Sequence, residues 1–329
     1  MATTEKIRIF AAEMELQTKI EAKRLGDINH TSCVMLIGSC FTEHISAQLG
    51  RLRFQTLTNP NGITYNPISI AKTLERLIGK RGYEVGDIIY SDGLFHSPEH
   101  HGCFSSASEE ETFAKIGKSF EAASTFIEKA THIIITLGSS VVYEHDGTIW
   151  NNCHKMPAKE FNARMLSVSE IVERFGPIIE RLGRTKFIFT VSPVRYMNDR
   201  RFGNSANKAT LLLAADELAR VHDNALYFPA YEIMMDELRD YRFYADDMIH
   251  PSPLAIRIIF ERFAKAFFAE ETIKTNDLVE KVEAMRNHKP LHPESPEYKK
   301  FKQKLYEYEE NLNHVLADCR NGSRDERTE

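Results

Sequence analysis

A serine, a histidine and an aspartate stand in settings where each could take part in nucleophilic chemistry. Ser39 follows the apolar run Val34-Met35-Leu36-Ile37 and Gly38, and precedes Cys40-Phe41-Thr42-Glu43-His44-Ile45, which is spaced as an amphipathic helix. A buried strand is rigid, a glycine permits a sharp exit, and the unpaired N–H groups of a helix start favour developing negative charge. The same turn also suits a serine that merely caps the helix. Far along the chain, Asp246-Asp247-Met248-Ile249-His250-Pro251-Ser252 offers what a nucleophilic serine needs. That is a base, and an acceptor for the base's other ring nitrogen. Pro251 biases His250 away from helical geometry. The competing reading is that Asp247 or Ser252 caps a helix that begins near Pro253. Cys40 is a second candidate nucleophile, because thiol pKa values fall at helix N-termini. Its side chain, next to that of Ser39, is expected to point away from the same cleft.

These residues need a scaffold, and the apolar pattern supplies one. Continuous apolar runs at 33–37, 132–137, 187–193 and 226–230, with a further strand at 53–57, alternate with helical patterns. The helices are expected at 41–49, from Pro67 onward, at 109–130, 167–182 and 205–222, and at 253–270. Strands that alternate with helices imply a parallel sheet covered on both faces. The expected fold is therefore a three-layer α/β/α, flavodoxin-like domain. Active groups in such sheets sit at the carboxyl ends of the strands. Ser39, Gly62, Ser139 and Pro193 all fall just past a predicted strand end. Residues 81–108 read as a long loop with His96, His100 and His101. A metal reading of that trio needs a helix, which Ser97-Pro98 opposes. The segment reads instead as a loop at a substrate mouth, with His101 facing it, and no metal or cofactor is expected.

The 329 residues are 42% hydrophobic and 27% charged, with net charge −5, so neither nucleic acid nor an anionic membrane is an expected partner. The five cysteines are odd in number and form no Cys-x-x-Cys pair, which suits free thiols in a reducing compartment. No secretory h-region opens the chain and no apolar stretch is long enough to span a membrane, so the expected location is cytoplasmic. The expected organisation is an extension over 1–29, a main domain over 30–273, a helical appendage over 274–320 and a disordered tail over 321–329. Within the extension, 7–10 could be a short strand and 13–24 has weak helical character. A helix at 297–318 carries Phe301, Leu305, Tyr308, Leu312 and Val315 at heptad-like spacing. That seam could dock on the main domain or pair two copies in a homodimer.

Taken together, Gly38-Ser39-Cys40-Phe41-Thr42 and Asp247-x-x-His250-Pro251 resemble the SGNH/GDSL hydrolase superfamily, and within it the GSCFA family. Asn59 to Pro67, Asn152-Cys153-His154-Lys155, Thr190 to Arg195 and Tyr231 to His250 extend the resemblance over roughly residues 30–270. It implies a serine-dependent acyl-ester hydrolase or O-acyltransferase acting on a small-molecule, glycan or lipid acyl ester. Ser39 would be the nucleophile, His250 the base and Asp247, selected over Asp246 by the family spacing, its orienter. It also implies an oxyanion hole made by the Ser39 N–H, a glycine after the second strand, here Gly62, and an asparagine after the third. The third position departs from the pattern, since Gly138-Ser139-Ser140 holds no asparagine. Asn152 and then Ser139 are the replacements expected. His154 and Arg195 could also face substrate. Arg195 alternatively satisfies a carboxylate such as Glu232, Asp236 or Asp240. The alternative to an enzyme is a binding module for an acylated glycan or lipid, in which Ser39 does not turn over.

Overall fold

The structure is a computed structural model that describes residues 18–20, 24–197 and 203–325. The strand expected at 7–10 and two-thirds of the helix expected at 13–24 lie outside those residues, and 18–20 and 24 are not helical. The apolar runs form strands as the pattern requires: β1 (Cys33–Gly38), β2 (Gln55–Thr58), then later in the chain β5 (His132–Leu137), β9 (Lys186–Val191) and β10 (Ala225–Phe228). All are parallel and lie in the order β10-β9-β5-β1-β2. In chain order the five lie 2-1-3-4-5, the flavodoxin-like arrangement. Its switch point falls between β1 and β5.

Every residue of β1 and of β5 is buried. Alternation along β1 sends Val34 and Leu36 to one face and Met35 and Ile37 to the other. The first face packs on α1 (Cys40–Arg51) through Phe41 and Ile45, and on Ile259 and Phe263 of a later helix. The second packs on α2 (Pro67–Ile78), α3 (Glu109–Ile127), α4 (Val168–Arg181) and α5 (Asn204–Val221) through Leu74, Ile127, Phe175 and Leu211. The result is a three-layer α/β/α fold. Helix starts follow their sequence signals: Asn66 accepts from Ser69 N–H at 2.8 Å with Pro67 in the first turn, and Ser167 closes a capping box with Glu170.

Two features were not expected. The 81–108 stretch holds an antiparallel hairpin, β3 (Ile89–Ser91) with β4 (Leu94–His96). After β5 the chain builds a three-stranded antiparallel sheet in the order β7-β6-β8, from β6 (Val141–His145), β7 (Thr148–Trp150) and β8 (Asn162–Met165). Beyond α6 (Pro253–Phe267), α7 (Glu270–Arg286) and α8 (Pro296–Asp325) pack together, and Val279, Val282, Leu312 and Leu316 join the apolar cluster under α1 and α6. Leu312 of the heptad-like seam is thus covered by the chain itself. Residues 321–325, expected in a disordered tail, continue α8. No helix among the described residues is long and apolar enough to cross a membrane.

Candidate active site

Gly38 ends β1 with φ +150 and pairs with Thr136 of β5. A Cβ placed on it would lie 2.2 Å from the Thr136 carbonyl oxygen, so only glycine fits this close passage. Its N–H donates to Asn59 Oδ1 at 2.9 Å, and its carbonyl accepts from Thr64 N–H at 2.9 Å. Ser39 therefore leaves the sheet from a fixed point. It occupies the N-cap position of α1, yet its side chain makes no capping bond. The hydroxyl is buried, and Oγ has no hydrogen-bond partner. The capping alternative is thus not the role its side chain plays.

Above Ser39 lies a cavity of about 240 Å³ at the switch point of the sheet. Cys40, Gly138, Ser139, Ser192, Arg195 and His250 line it beside Ser39, and Tyr65, Tyr143, Trp150 and Asn151 wall it. His250 reaches it from the segment before α6. Its Nδ1 lies 2.6 Å from Asp247 Oδ2, and Asp247 Oδ1 accepts from the N–H groups of Ile249 and His250 at 2.9 Å each. Those two backbone bonds first, and the ring bond after them, hold the Asp247 carboxyl down at about 2. An ionised carboxylate only accepts, so Nδ1 carries a proton, and in the neutral ring the lone pair is the one on Nε2. Ser252, not Asp247, caps α6, accepting from Ala255 N–H at 3.3 Å with Pro253 next in the chain. His250 and Asp247 side chains are 44% and 45% exposed, and Ser39 Oγ and His250 share the cavity without hydrogen bonding to each other. Chemically, the arrangement offers a hydroxyl with no competing partner, an imidazole oriented by a carboxylate and a cavity that both line.

Other expected residues fall elsewhere. Gly62, at φ +75, spends its N–H on the Asn59 carbonyl at 2.7 Å and does not line the cavity. Its lack of a side chain lets His101 approach, because a Cβ there would meet His101 Cβ at 2.4 Å. His101 caps a short turn at Gly102–Phe104 and is likewise not a lining residue. Asn152 Oδ1 accepts from His154 N–H at 2.9 Å, and its neighbour Asn151 lines the cavity in its place. Asn151 Nδ2 reaches the Ile63 and Glu99 carbonyls only at 3.4 Å, and Oδ1 has no partner. His154 is buried, stacks on His96 at 4.4 Å and bonds the Ser97 carbonyl at 2.8 Å, and burial lowers its pKa to about 4. His96 lies against Ser105 and Ser91, and His100, lowered to about 3 by burial, against Ser97. These three rings staple loops together. Among the described residues, no cluster of three or more His, Cys, Asp or Glu is placed to hold a metal.

Ser139 lines the cavity, but its Oγ accepts from Val141 N–H and from Asn207 Nδ2, both at 3.0 Å. Arg195 also lines it. The guanidinium lies 5.5 Å over the Tyr244 ring and donates to the Tyr244 hydroxyl at 3.4 Å, and its expected partner Glu232 accepts from Tyr227 instead. Burial raises the Cys40 thiol pKa, so a thiolate nucleophile is disfavoured there. The sequence reading missed Asn151, the aromatic wall and Lys208, which is buried behind Gly138.

Residues 33–263 match the model of the GSCFA family, and residues 279–321 match that of the GSCFA domain protein, C-terminal domain. The first match spans well over half of the chain, and the chain belongs to the GSCFA family. No curated protein matches it. Among solved structures it is similar to a protein provisionally called a platelet activating factor, from Streptococcus pneumonia. The identity is 10% over 79% of this chain and 90% of that one, with a TM-score of 0.34. That likeness is too distant to speak to chemistry.

Proposed function

We propose that this member of the GSCFA family carries out serine-dependent acyl transfer from an ester, with an SGNH-like Ser39-His250-Asp247 triad, as a hydrolase or O-acyltransferase. The observation that carries the proposal is the Ser39 hydroxyl. It is buried at a helix start without a partner, in one cavity with a histidine whose other nitrogen is held by an ionised aspartate. In the proposed reaction the His250 loop closes onto Ser39, and Nε2 takes the hydroxyl proton as Oγ attacks the ester carbonyl carbon. The tetrahedral anion collapses, the carbon–oxygen bond to the alcohol breaks, and His250 returns the proton to that leaving group. Water or an acceptor hydroxyl then repeats the sequence on the acyl-enzyme. Asp247 stays ionised throughout and holds the ring.

For the oxyanion we assign the Ser39 N–H, whose bond to Thr136 O is long at 3.2 Å, and the Asn151 amide, whose bonds at 3.4 Å are weak enough to exchange. Arg195 is proposed to meet an anionic group of the substrate, and the Tyr65, Tyr143 and Trp150 wall its apolar part. The proposed catalytic unit is residues 30–273, with 274–320 as a docked appendage. The five free cysteines support a reducing, cytoplasmic setting.

One observation favours a second reading, a binding module that does not turn over: Ser39 and His250 are not hydrogen-bonded to each other. A fluorophosphonate probe followed by mass spectrometry separates the two. The expected result is an adduct on Ser39 that disappears in Ser39→Ala and forms at least about 100-fold more slowly in His250→Ala. Folded wild type that takes up no probe, or probe bound equally in Ser39→Ala, would overturn the enzyme.

A further inference from the structure

Lys208 projects from the first turns of α5, and it is 1% exposed. Its Nζ donates to the Gly138 carbonyl at 2.8 Å and to the Ser192 carbonyl at 3.0 Å. Those are the residues directly after β5 and β9, the two strand ends that frame the cavity. Gly138 in turn abuts Ser39: a Cβ on Gly138 would stand 3.2 Å from Ser39 Cβ. We propose that Lys208 is a positioning residue that clamps the two strand ends and places, one peptide behind Ser39, an amine whose protonated form is balanced by an anion in the cavity. The proposal rests on the acyl-transfer reading for its role in turnover.

The argument starts from what Lys208 lacks. Buried lysines are ordinarily paired with a carboxylate, because an unpaired charge out of water is costly. Among the described residues no carboxylate forms an ion pair with Lys208. The titratable groups facing it are the Cys40 thiol and the Tyr231 phenol, whose ring centroid lies 5.8 Å away. Burial raises the pKa of both, so neither supplies a negative charge near neutrality. The same burial lowers the Lys208 pKa to about 7. A clamp on two carbonyls needs two N–H donors and no charge, since a neutral amine carries both. When the amine is protonated, its charge finds its balance in the cavity, where the proposed reaction forms an oxyanion at Ser39. Lys208 and Ser39 are both buried, so the attraction is weakly screened. An anion there holds the proton on Lys208, and loss of that proton as pH rises removes the support.

The test uses the full chain and p-nitrophenyl acetate, with Ser39→Ala as the control for background hydrolysis. In Lys208→Met, kcat and the rate of fluorophosphonate labelling are expected to fall about 10–100-fold with KM nearly unchanged. The wild-type rate should decline above about pH 7 as Lys208 loses its proton, and Lys208→Met should lack that decline. Lys208→Arg keeps the charge and should restore part of the rate if it folds. Wild-type kcat in folded Lys208→Met, or a high-pH decline that persists in it, would overturn the proposal. Labelling that falls only in step with the folded fraction would mark a clamp and nothing more. A second measurement is independent of turnover. Calorimetric titration with sulfate at pH 8, in buffers of different ionisation enthalpy, should show proton uptake in wild type and none in Lys208→Met. Absence of uptake in wild type sinks the Lys208 proposal. Absence of Ser39-dependent labelling and hydrolysis sinks the acyl-transfer reading, and the two failures are read separately.

Discussion

The Ser39 turn and the Asp247–His250 loop hold the two halves of the proposed chemistry by different means. The turn is buried, and its geometry is fixed from outside itself: Asn59, Thr64 and Thr136 all bond the backbone of Gly38 or Ser39. The loop is nearly half exposed and is fixed mostly from within. Asp247 accepts three bonds from its own following residues, Ala245 N–H meets the His250 carbonyl at 2.8 Å, and Met248 N–H meets the Ala245 carbonyl at 2.9 Å. Its outside ties are few, among them Arg195 N–H to the Ile249 carbonyl at 3.2 Å. A nucleophile on a rigid floor and a base on a self-contained loop differ in what a substitution costs. On the floor a change costs the fold, and on the loop it costs the rate. In the proposed reaction the missing Ser39–His250 hydrogen bond is made by movement of the loop, because the floor is the more closely held of the two.

The sharpest way to break this comparison is Gly38→Ala. The new methyl group would meet the Thr136 carbonyl in a backbone region that alanine disfavours. A loss of about 3–5 kcal/mol is expected in urea denaturation, with labelling lost alongside it. A loss under about 1 kcal/mol would show that the floor yields as a loop does.

Asp247→Asn probes the other half. Labelling of Ser39 should slow by about 10²–10⁴-fold while the urea midpoint stays within error, because an amide can hold the ring in the wrong tautomer. Loss of folding in this variant would place the loop among the structural elements. The pH dependence has a definite sign. The Asp247 carboxyl is depressed, so its contribution is fully present above the ordinary carboxylate range and is lost progressively as pH falls from there through about 2. Its main cause is the backbone N–H pair. An NMR titration of Asp247 in His250→Ala should therefore still give a midpoint below the usual carboxylate range. A return to the ordinary value would mean that the ring, and not the loop's own backbone, fixes the carboxylate.

Lys208 sharpens the floor side through stability. It binds its proton more weakly in the folded chain than in the unfolded one. Between about pH 7 and the ordinary lysine value the unfolded state holds more protons, and stability should rise with pH there. Lys208→Met should flatten that rise in urea midpoints measured across the range, whatever happens to activity. An unchanged slope would place the titration elsewhere.

The contrast also explains what the sequence disclosed. The parallel strands were legible because a strand covered on both faces must be apolar throughout, as at 33–37 and 132–137. Ser39, Asp247 and His250 were legible as types at strand and helix junctions. The antiparallel β6–β8 sheet was not, because its strands are short and half exposed and resemble loop. The cavity wall it carries was missed with it. That Asn151 and not Asn152 lines the cavity was not legible, since side-chain direction in an irregular segment has no period to read. Gly62 was given to the oxyanion because it follows a strand, when its N–H belongs to its own turn. Lys208 could have been found. It lies in register with Leu211, Ala215 and Leu218, so a lysine sat on the apolar stripe of a helix.

The smallest expected effect tests how loosely the loop is fitted. Met248 is 52% exposed and adopts φ 58, a left-handed conformation that costs a residue with a Cβ. On the floor, such geometry is met by glycine and cannot be changed. In the loop a methionine tolerates it, which means the neighbouring bonds, and not the residue type, impose the turn. Met248→Gly removes the strain but loosens the unfolded chain, so the net gain should be no more than about 1 kcal/mol in urea denaturation. Labelling should change by less than about threefold, because Asp247 keeps its hold on His250. A fall in stability of more than about 1 kcal/mol would show the methionine side chain packed and needed. The loop would then be as closely fitted as the floor, and closure of His250 onto Ser39 would need a different hinge.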